Sequence, residues 1–303
     1  MRRFITYTSL FSLIVLLTLM SGEHIVRSLP NPYKHKHQWM LNNASEVECL
    51  IMGSSHTYYG VIPTNFLPNT FNLANVSQNP KYDYLLLEKY IPMCHKLHSV
   101  VVPVSYVTFF DKSLEEGDEW FYAINYKLYM DIDEHPNWSR YNFELSNRPV
   151  YSGKLQTYFS GKPLPTCDSL GFGLDYALAA KDHALWEKNA YMTVDRHTAD
   201  DGEMCSENET YLRRIAQLCC DNGIKLVLIT PPTWSAYYKS LDKKQLDKTY
   251  ELINEICHDY SLPYFDYLKD PRFLEDDFYD CDHLSDIGAK KFTTILRNDL
   301  AER

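Results

Sequence analysis

The chain has 303 residues, 45% of them hydrophobic and 23% charged, the composition of a folded protein able to bury one large core. A formal net charge of −10 argues against a nucleic-acid-binding surface, which needs a basic face to displace counterions from phosphate. The sequence has no internal repeat, P-loop or Gly-x-Gly-x-x-Gly motif, so no nucleotide cofactor is expected.

Met1-Arg2-Arg3 precedes an uncharged, largely apolar run from Phe4 to Met20. That length is at the lower edge for a membrane-spanning helix and slightly beyond a signal-peptide core. Leu19-Met20-Ser21-Gly22 is a poor cleavage site and no cysteine stands there to take a lipid, so residues 1–22 are expected to form an uncleaved signal anchor. Arg2 and Arg3 favour a cytoplasmic N-terminus with the rest translocated, although Arg27, Lys34 and Lys36 weaken the asymmetry. Residues 23–44, with Leu29-Pro30-Asn31-Pro32 and His35-Lys36-His37, read as a polar juxtamembrane linker, and 45–303 as the domain.

From Val47 to Met52 the chain is apolar except for Glu48, and Gly53-Ser54-Ser55-His56 comes next, with Gly60 and Pro63 behind it. This reads as a strand ending in a tight turn that exposes a serine. Phe71 to Ala74 and Ser99 to Val102 read as the next two strands, running into Asn75-Val76-Ser77-Gln78 and Pro103-Val104-Ser105-Tyr106. Residues 111–205 lose this regularity and carry many aromatics (Trp120, Phe121, Tyr122, Tyr126, Tyr129, Trp138, Tyr141), as an insertion capping the active-site face would. Glu209 to Cys220 is an amphipathic helix stopped by Asn222-Gly223. Lys225 to Thr230 has the continuous apolar character of a central parallel strand. A helix from Lys243 to Tyr260 and a short strand from Pro263 to Asp266 complete the strand–helix alternation of a doubly wound parallel α/β sheet.

Eight cysteines form no recognisable disulfide framework and are expected to be small buried hydrophobes. With no C-x-x-C or H-x-x-x-H pair, no metal site is expected. The 24 tyrosines suggest stacking on sugar C–H faces, although most should serve the core or interfaces. Asn-x-Ser/Thr sites include Asn43, Asn137 and Asn208.

Near the C-terminus stands Asp280-Cys281-Asp282-His283. A serine hydroxyl attacks well only when an imidazole removes its proton, and the imidazole works best when a carboxylate fixes its tautomer. Ser55 with His283 and Asp280 supplies that set. His56, next to Ser55, reads either as a contributor to the site or, more simply, as an exposed polar residue at a helix start.

These two motifs resemble the SGNH/GDSL hydrolase superfamily, whose first block is roughly Gly-Asp-Ser with a glycine shortly after and whose last is Asp-x-x-His. Leu284 to Phe292 is similar to that family's terminal helix opening, and the resemblance spans Val47 to Leu300. It implies a three-layer, flavodoxin-like α/β fold with Ser55 as nucleophile, His283 as base and Asp280, rather than Asp282, as orienting carboxylate. Ser54 stands where the family usually has aspartate, as in membrane-linked cell-envelope members, and the family's second-strand glycine and Gly-x-Asn-Asp block are missing. Oxyanion donors are then expected from the Ser55 N–H, the Ser77 N–H or the Asn75 amide, with Ser105 as a weaker candidate. The implied function is a serine esterase or O-acyltransferase, without cofactor, acting outside the cytoplasm on an O-acetylated cell-envelope glycan alongside polysaccharide machinery. An inactive glycan-binding or assembly factor of the same fold is the alternative.

Overall fold

The computed structural model describes residues 1–135, 139–164, 166–182 and 186–302, so Asn137 and Trp138 lie outside the described residues. In chain order the helices are α1 (Arg2–Ser28), α2 (Pro32–Asn43), α3 (Ser55–Tyr58), α4 (Pro80–Tyr90), α5 (Ala123–Met130), α6 (Arg148–Phe159), α7 (Trp186–His197), α8 (Ser206–Asp221), α9 (Ser235–Tyr238), α10 (Lys243–Tyr260) and α11 (Asp286–Ala301). The strands are β1 (Cys49–Ile51), β2 (Thr70–Asn72), β3 (Ser99–Pro103), β4 (Lys225–Thr230) and β5 (Tyr264–Asp266). They form one sheet in the order β2-β1-β3-β4-β5, with every pair parallel. That is the flavodoxin-like doubly wound order, in which ligand sites gather at the carboxyl ends of the strands.

Side chains alternate across the sheet with a period of two. Leu50, Val100, Leu226 and Leu228 pack with Leu86 and Leu87 of α4, Ile215 of α8 and Ile253 of α10. On the other face Ile51, Val101, Val227 and Ile229 pack with Phe292 and Leu296 of α11. Helices therefore cover both faces, which explains why β4 is apolar on both sides.

Residues 23–44 differ from the expected linker. Asn31 caps α2 by accepting from the Tyr33 and Lys34 N–H groups, with Pro32 in the first turn, where its missing donor is harmless. The helix then buries Tyr33, Lys36, His37 and Met40, and Trp39 stacks on Phe71 of β2 at 3.9 Å. The buried Lys36 ammonium donates to the Ala74 carbonyl and lies 4.2 Å from the Tyr58 ring, and burial lowers its pKa to about 7.

The insertion also differs from a simple cap. Ala123, Ile124, Tyr126, Tyr129 and Met130 of α5 join the main core, and Tyr126 stacks on Tyr82 of α4 at 4.0 Å. These aromatics are structural, whereas Tyr176 stacks on Tyr59 just after α3 and His197 of α7 meets Tyr237 of α9. Asn208 is fully buried, so its sequon offers no surface acceptor. Cys49, Cys94, Cys219 and Cys281 are buried as expected, but Cys167, Cys205 and Cys257 are half-buried and Cys220 is exposed.

The first 20 residues of α1 are exposed, and the helix is long and apolar enough to cross a membrane once, a property that signal sequences share. Its last turns dock on the domain. Glu23 accepts the N–H groups of Glu144 and Leu145 at 2.9 and 3.1 Å, and Arg27 donates to the Asn142 carbonyl at 2.7 Å.

β1 leads into Gly53, whose N–H donates to Asp83 of α4 at 2.8 Å. Burial raises the Asp83 carboxyl to about 7, against the lowering effect of its bonds from Gln78 and Gly53. Because the folded value exceeds the unfolded one, this group's stabilising contribution is present below the ordinary carboxylate range and is lost as pH rises through about 7, amounting to about 4 kcal/mol. Asp83→Asn keeps an acceptor for Gly53 and removes the titration. Its melting temperature relative to wild type should therefore rise by several degrees between about pH 4.5 and pH 8, and thermal melts in matched buffers would check this.

Candidate active site

Gly53 has φ of +102°, and a Cβ there would meet Pro103 Cγ at 2.1 Å, so only glycine fits this turn. The Gly53 carbonyl accepts the Asn75 N–H at 3.1 Å, tying the loop after β2 to the turn. Ser54 then precedes α3, and Ser55 is its first residue, which leaves the Ser55 N–H among the orphan donors of a helix start.

The partner residues come from a turn between β5 and α11. Phe278 and Leu284 pair as an antiparallel bridge, and the Tyr279 N–H donates to the His283 carbonyl at 2.9 Å. At the tip, Asp280 Oδ1 accepts the N–H groups of Asp282 and His283 at 3.1 and 2.8 Å. Ser285 caps α11, and Lys291 bonds Asp277 at 2.6 Å, fastening the turn to the helix.

Three residues expected from the sequence converge here. Ser55 Oγ lies 2.8 Å from His283 Nε2, and the other ring nitrogen, Nδ1, lies 2.9 and 3.0 Å from the Asp280 carboxylate oxygens. With the proton on Nδ1, Ser55 donates to Nε2 and His283 donates to Asp280. Burial alone would lower the His283 pKa, but the charges of Asp280 and then Asp282 outweigh it and hold the imidazole well above its ordinary value. Tyr176 places its ring edge-on to His283 at 5.2 Å, within a stack running from Tyr59 through Tyr176 to Tyr279 at 3.9 and 4.3 Å. The Tyr176 carbonyl accepts the Asp286 N–H at 3.0 Å, so this aromatic wall is fixed to the start of α11.

The oxyanion candidates divide. Both amide hydrogens of Asn75 are taken, by the Leu73 carbonyl at 3.1 Å and Gln78 Oε1 at 2.8 Å, and its backbone N–H goes to Gly53. Asn75 is thus a brace for the turn and not a free donor. Ser105 gives its N–H to Thr108 Oγ1 at 2.9 Å and is likewise engaged. Ser77 donates its hydroxyl to Glu119, while its N–H makes no hydrogen bond to another described residue. The Ser55 and Ser77 N–H groups remain.

His56 differs most from expectation: its side chain is only 9% accessible and, with that of Asp282 at 2%, lies against His283. A glycine-serine-serine turn leading into an imidazole carried that signal, but a lone histidine at a helix start is indistinguishable from a solvated one. The side-chain nitrogen and oxygen atoms of His56, Asp282 and His283 thus cluster within 4.8 Å of one another.

A family described as "protein of unknown function (DUF1574)" matches residues 178–300, less than half of the chain. No curated protein matches. Among solved structures, the chain is similar to a lipase/acylhydrolase from Enterococcus faecalis, with 12% identity and a TM-score of 0.39 over 85% of this chain and 97% of that one. A GDSL-like lipase from Bacteroides thetaiotaomicron gives 11% identity and 0.41 over 89% and 98%. An acetyl xylan esterase gives 12% and 0.42 over 84% and 98%.

Gly288, in the first turn of α11, tests how tightly this loop is held. A Cβ there would sit 1.8 Å from the Asp277 carbonyl oxygen, a backbone atom that can move only with the loop. Gly288→Ala should lower the melting temperature by several degrees. The control Gly153→Ala, where nothing lies within 4 Å of the added carbon on α6, should leave it unchanged or slightly raised.

Proposed function

We propose that this chain is a membrane-anchored SGNH-type serine esterase or O-acyltransferase. The observation that carries this is the Ser55–His283–Asp280 chain of contacts, 2.8 Å at one end of the imidazole and 2.9 Å at the other. Ser55 Oγ attacks an ester carbonyl as His283 Nε2 takes its proton, and Asp280 holds the tautomer and faces the imidazolium that forms. The tetrahedral oxyanion turns toward the N–H groups of Ser55 and Ser77. Collapse breaks the ester C–O bond, and His283 returns the proton to the leaving alcohol. A water or a sugar hydroxyl, deprotonated by His283, then releases the acyl group from Ser55.

An O-acylated glycan outside the cytoplasm suits the bare apolar helix α1 and the tyrosine stack beside His283, because sugar C–H faces pack on aromatic rings. The engagement of Asn75 and Ser105 favours a second reading, an inactive glycan-binding or assembly factor, since losing one oxyanion donor typically lowers the rate on the order of 100-fold or more.

Labelling with a fluorophosphonate separates the two: wild type should be labelled at Ser55 and Ser55→Ala should not, whereas a binding protein takes no label. On p-nitrophenyl acetate or an acetylated glycan, Ser55→Ala and His283→Ala should each lower kcat by about 10⁴-fold or more, with a measurable remainder in Asp280→Asn. Wild-type turnover by Ser55→Ala would end the proposal.

The pH dependence has a definite sign. A raised His283 pKa keeps the base protonated to higher pH, so kcat/KM should rise with pH through a midpoint above the ordinary imidazole value of 6.5. A rate profile flat from about pH 6 upward would contradict this assignment of the base.

A further inference from the structure

One cluster of titratable groups is packed directly against the triad. The rings of His56 and His283 stack with centroids 4.8 Å apart and planes 13° from parallel. His56 Nδ1 lies 3.2 Å from Ser54 Oγ, and His56 Nε2 lies 3.4 Å from Asp282 Oδ2. The other Asp282 oxygen lies 3.4 Å from His283 Nδ1. One buried carboxylate therefore presents an oxygen to each of two imidazoles.

A buried carboxylate is costly unless it is paired or hydrogen-bonded. Asp282 Oδ1 accepts from the Cys281 thiol, a weak donor, and Oδ2 is buried without a hydrogen bond. The aspartate pKa is nevertheless held well below its ordinary value: burial would raise it, but His283 first and then His56 and His197 pull it down. Groups on other elements also face the cluster. From α7 come His197, which burial lowers to about 4 and which lies 2.8 Å from the Tyr237 hydroxyl, and Arg196. Tyr237 comes from α9, Tyr176 from the insertion, and Tyr279 and Asp280 from the turn itself.

We propose that His56 and Asp282 form a second imidazole–carboxylate pair that positions the His283 ring and sets how much of the Asp282 charge reaches it. This rests on the proposed role of His283 as base. Two carboxylates facing Nδ1 favour the imidazolium that forms when Ser55 loses its proton, but unchecked they would also keep the resting base protonated. His56 Nε2, facing Asp282 Oδ2 at the ion-pair distance of 3.4 Å, draws that charge away from His283, and the stacked ring blocks rotation of the imidazole. Both are positioning residues, since they act through His283.

The test is the His283 titration in the full-length, ¹⁵N-histidine-labelled protein in detergent micelles, read by long-range ¹H–¹⁵N NMR and assigned by its absence in His283→Gln. His56→Phe keeps a flat ring for the stack and deletes the donor, so the His283 midpoint should rise by about one unit. His56→Gln returns an N–H donor and should restore the wild-type midpoint. Asp282→Asn should lower it by about one unit or more, and the acidic limb of kcat/KM should move with each variant. Midpoints within about 0.2 units of wild type in both His56→Phe and Asp282→Asn would overturn the pair, even if melting temperatures fall, because a purely structural role moves stability alone. Should Asp282→Asn not fold, His56→Phe against His56→Gln decides. The titration needs no turnover, so its failure is distinct from failure of the esterase proposal, which Ser55→Ala reports.

Discussion

Gly53 leaves β1 in a left-handed conformation against Pro103, gives its N–H to Asp83 and accepts from Asn75. One peptide turn thereby joins the end of β1 to α4, to the loop after β2 and to the end of β3. No side chain at position 53 could satisfy that convergence. Its consequence is that Ser55 enters α3 with an N–H that bonds no other described residue and a hydroxyl 2.8 Å from His283 Nε2. Because the sheet is wholly parallel, the loop after β5 begins at the same carboxyl end of the strands as this turn. The second motif can then meet the first although they are 228 residues apart.

The two carboxylates beside His283 sit in different environments, and this divides their work. The Asp280 side chain is 35% accessible and is oriented by two backbone N–H groups of its own turn, so it can face the imidazole at little cost in desolvation. Asp282 is 2% accessible and lacks such bonds on Oδ2. Its charge is therefore screened less and felt further. Asp280 is thus both the closer partner of the imidazole and the larger influence on its charge, with Asp282 second.

Much of this was legible in the residue pattern. β4 and α10 fall on the expected bounds, and Ser55, Asp280 and His283 meet, because strand runs, helix stops and an Asp-x-x-His turn are local signals. α2 was not legible: its buried positions, Tyr33, Lys36, His37 and Met40, have helical spacing, but a lysine and a histidine conceal the apolar stripe. Asn31-Pro32, read as a linker, is a helix cap, and a cap is recognisable only when the residues after it are known to be helical. The roles of Asn75 and His56 were hidden for another reason. Whether an amide is free or spent, and whether an imidazole is solvated or sealed, depends on which partners the fold supplies: Gln78 is close to Asn75 in the chain, but Asp282 is far from His56.

The docking of α1 bears on how the proposed enzyme would meet a substrate if that helix crosses a membrane. A flexible tether lets a domain sweep a wide volume, but here the helix runs unbroken to Ser28 and is held at Glu23 and Arg27 to the segment from Asn142 to Leu145. α2 begins within a few residues and packs on β2 through Trp39 and Phe71. If α1 crosses a membrane as proposed, the sheet and its serine are held at one height and one orientation above it. A substrate would then have to reach the serine at that fixed position.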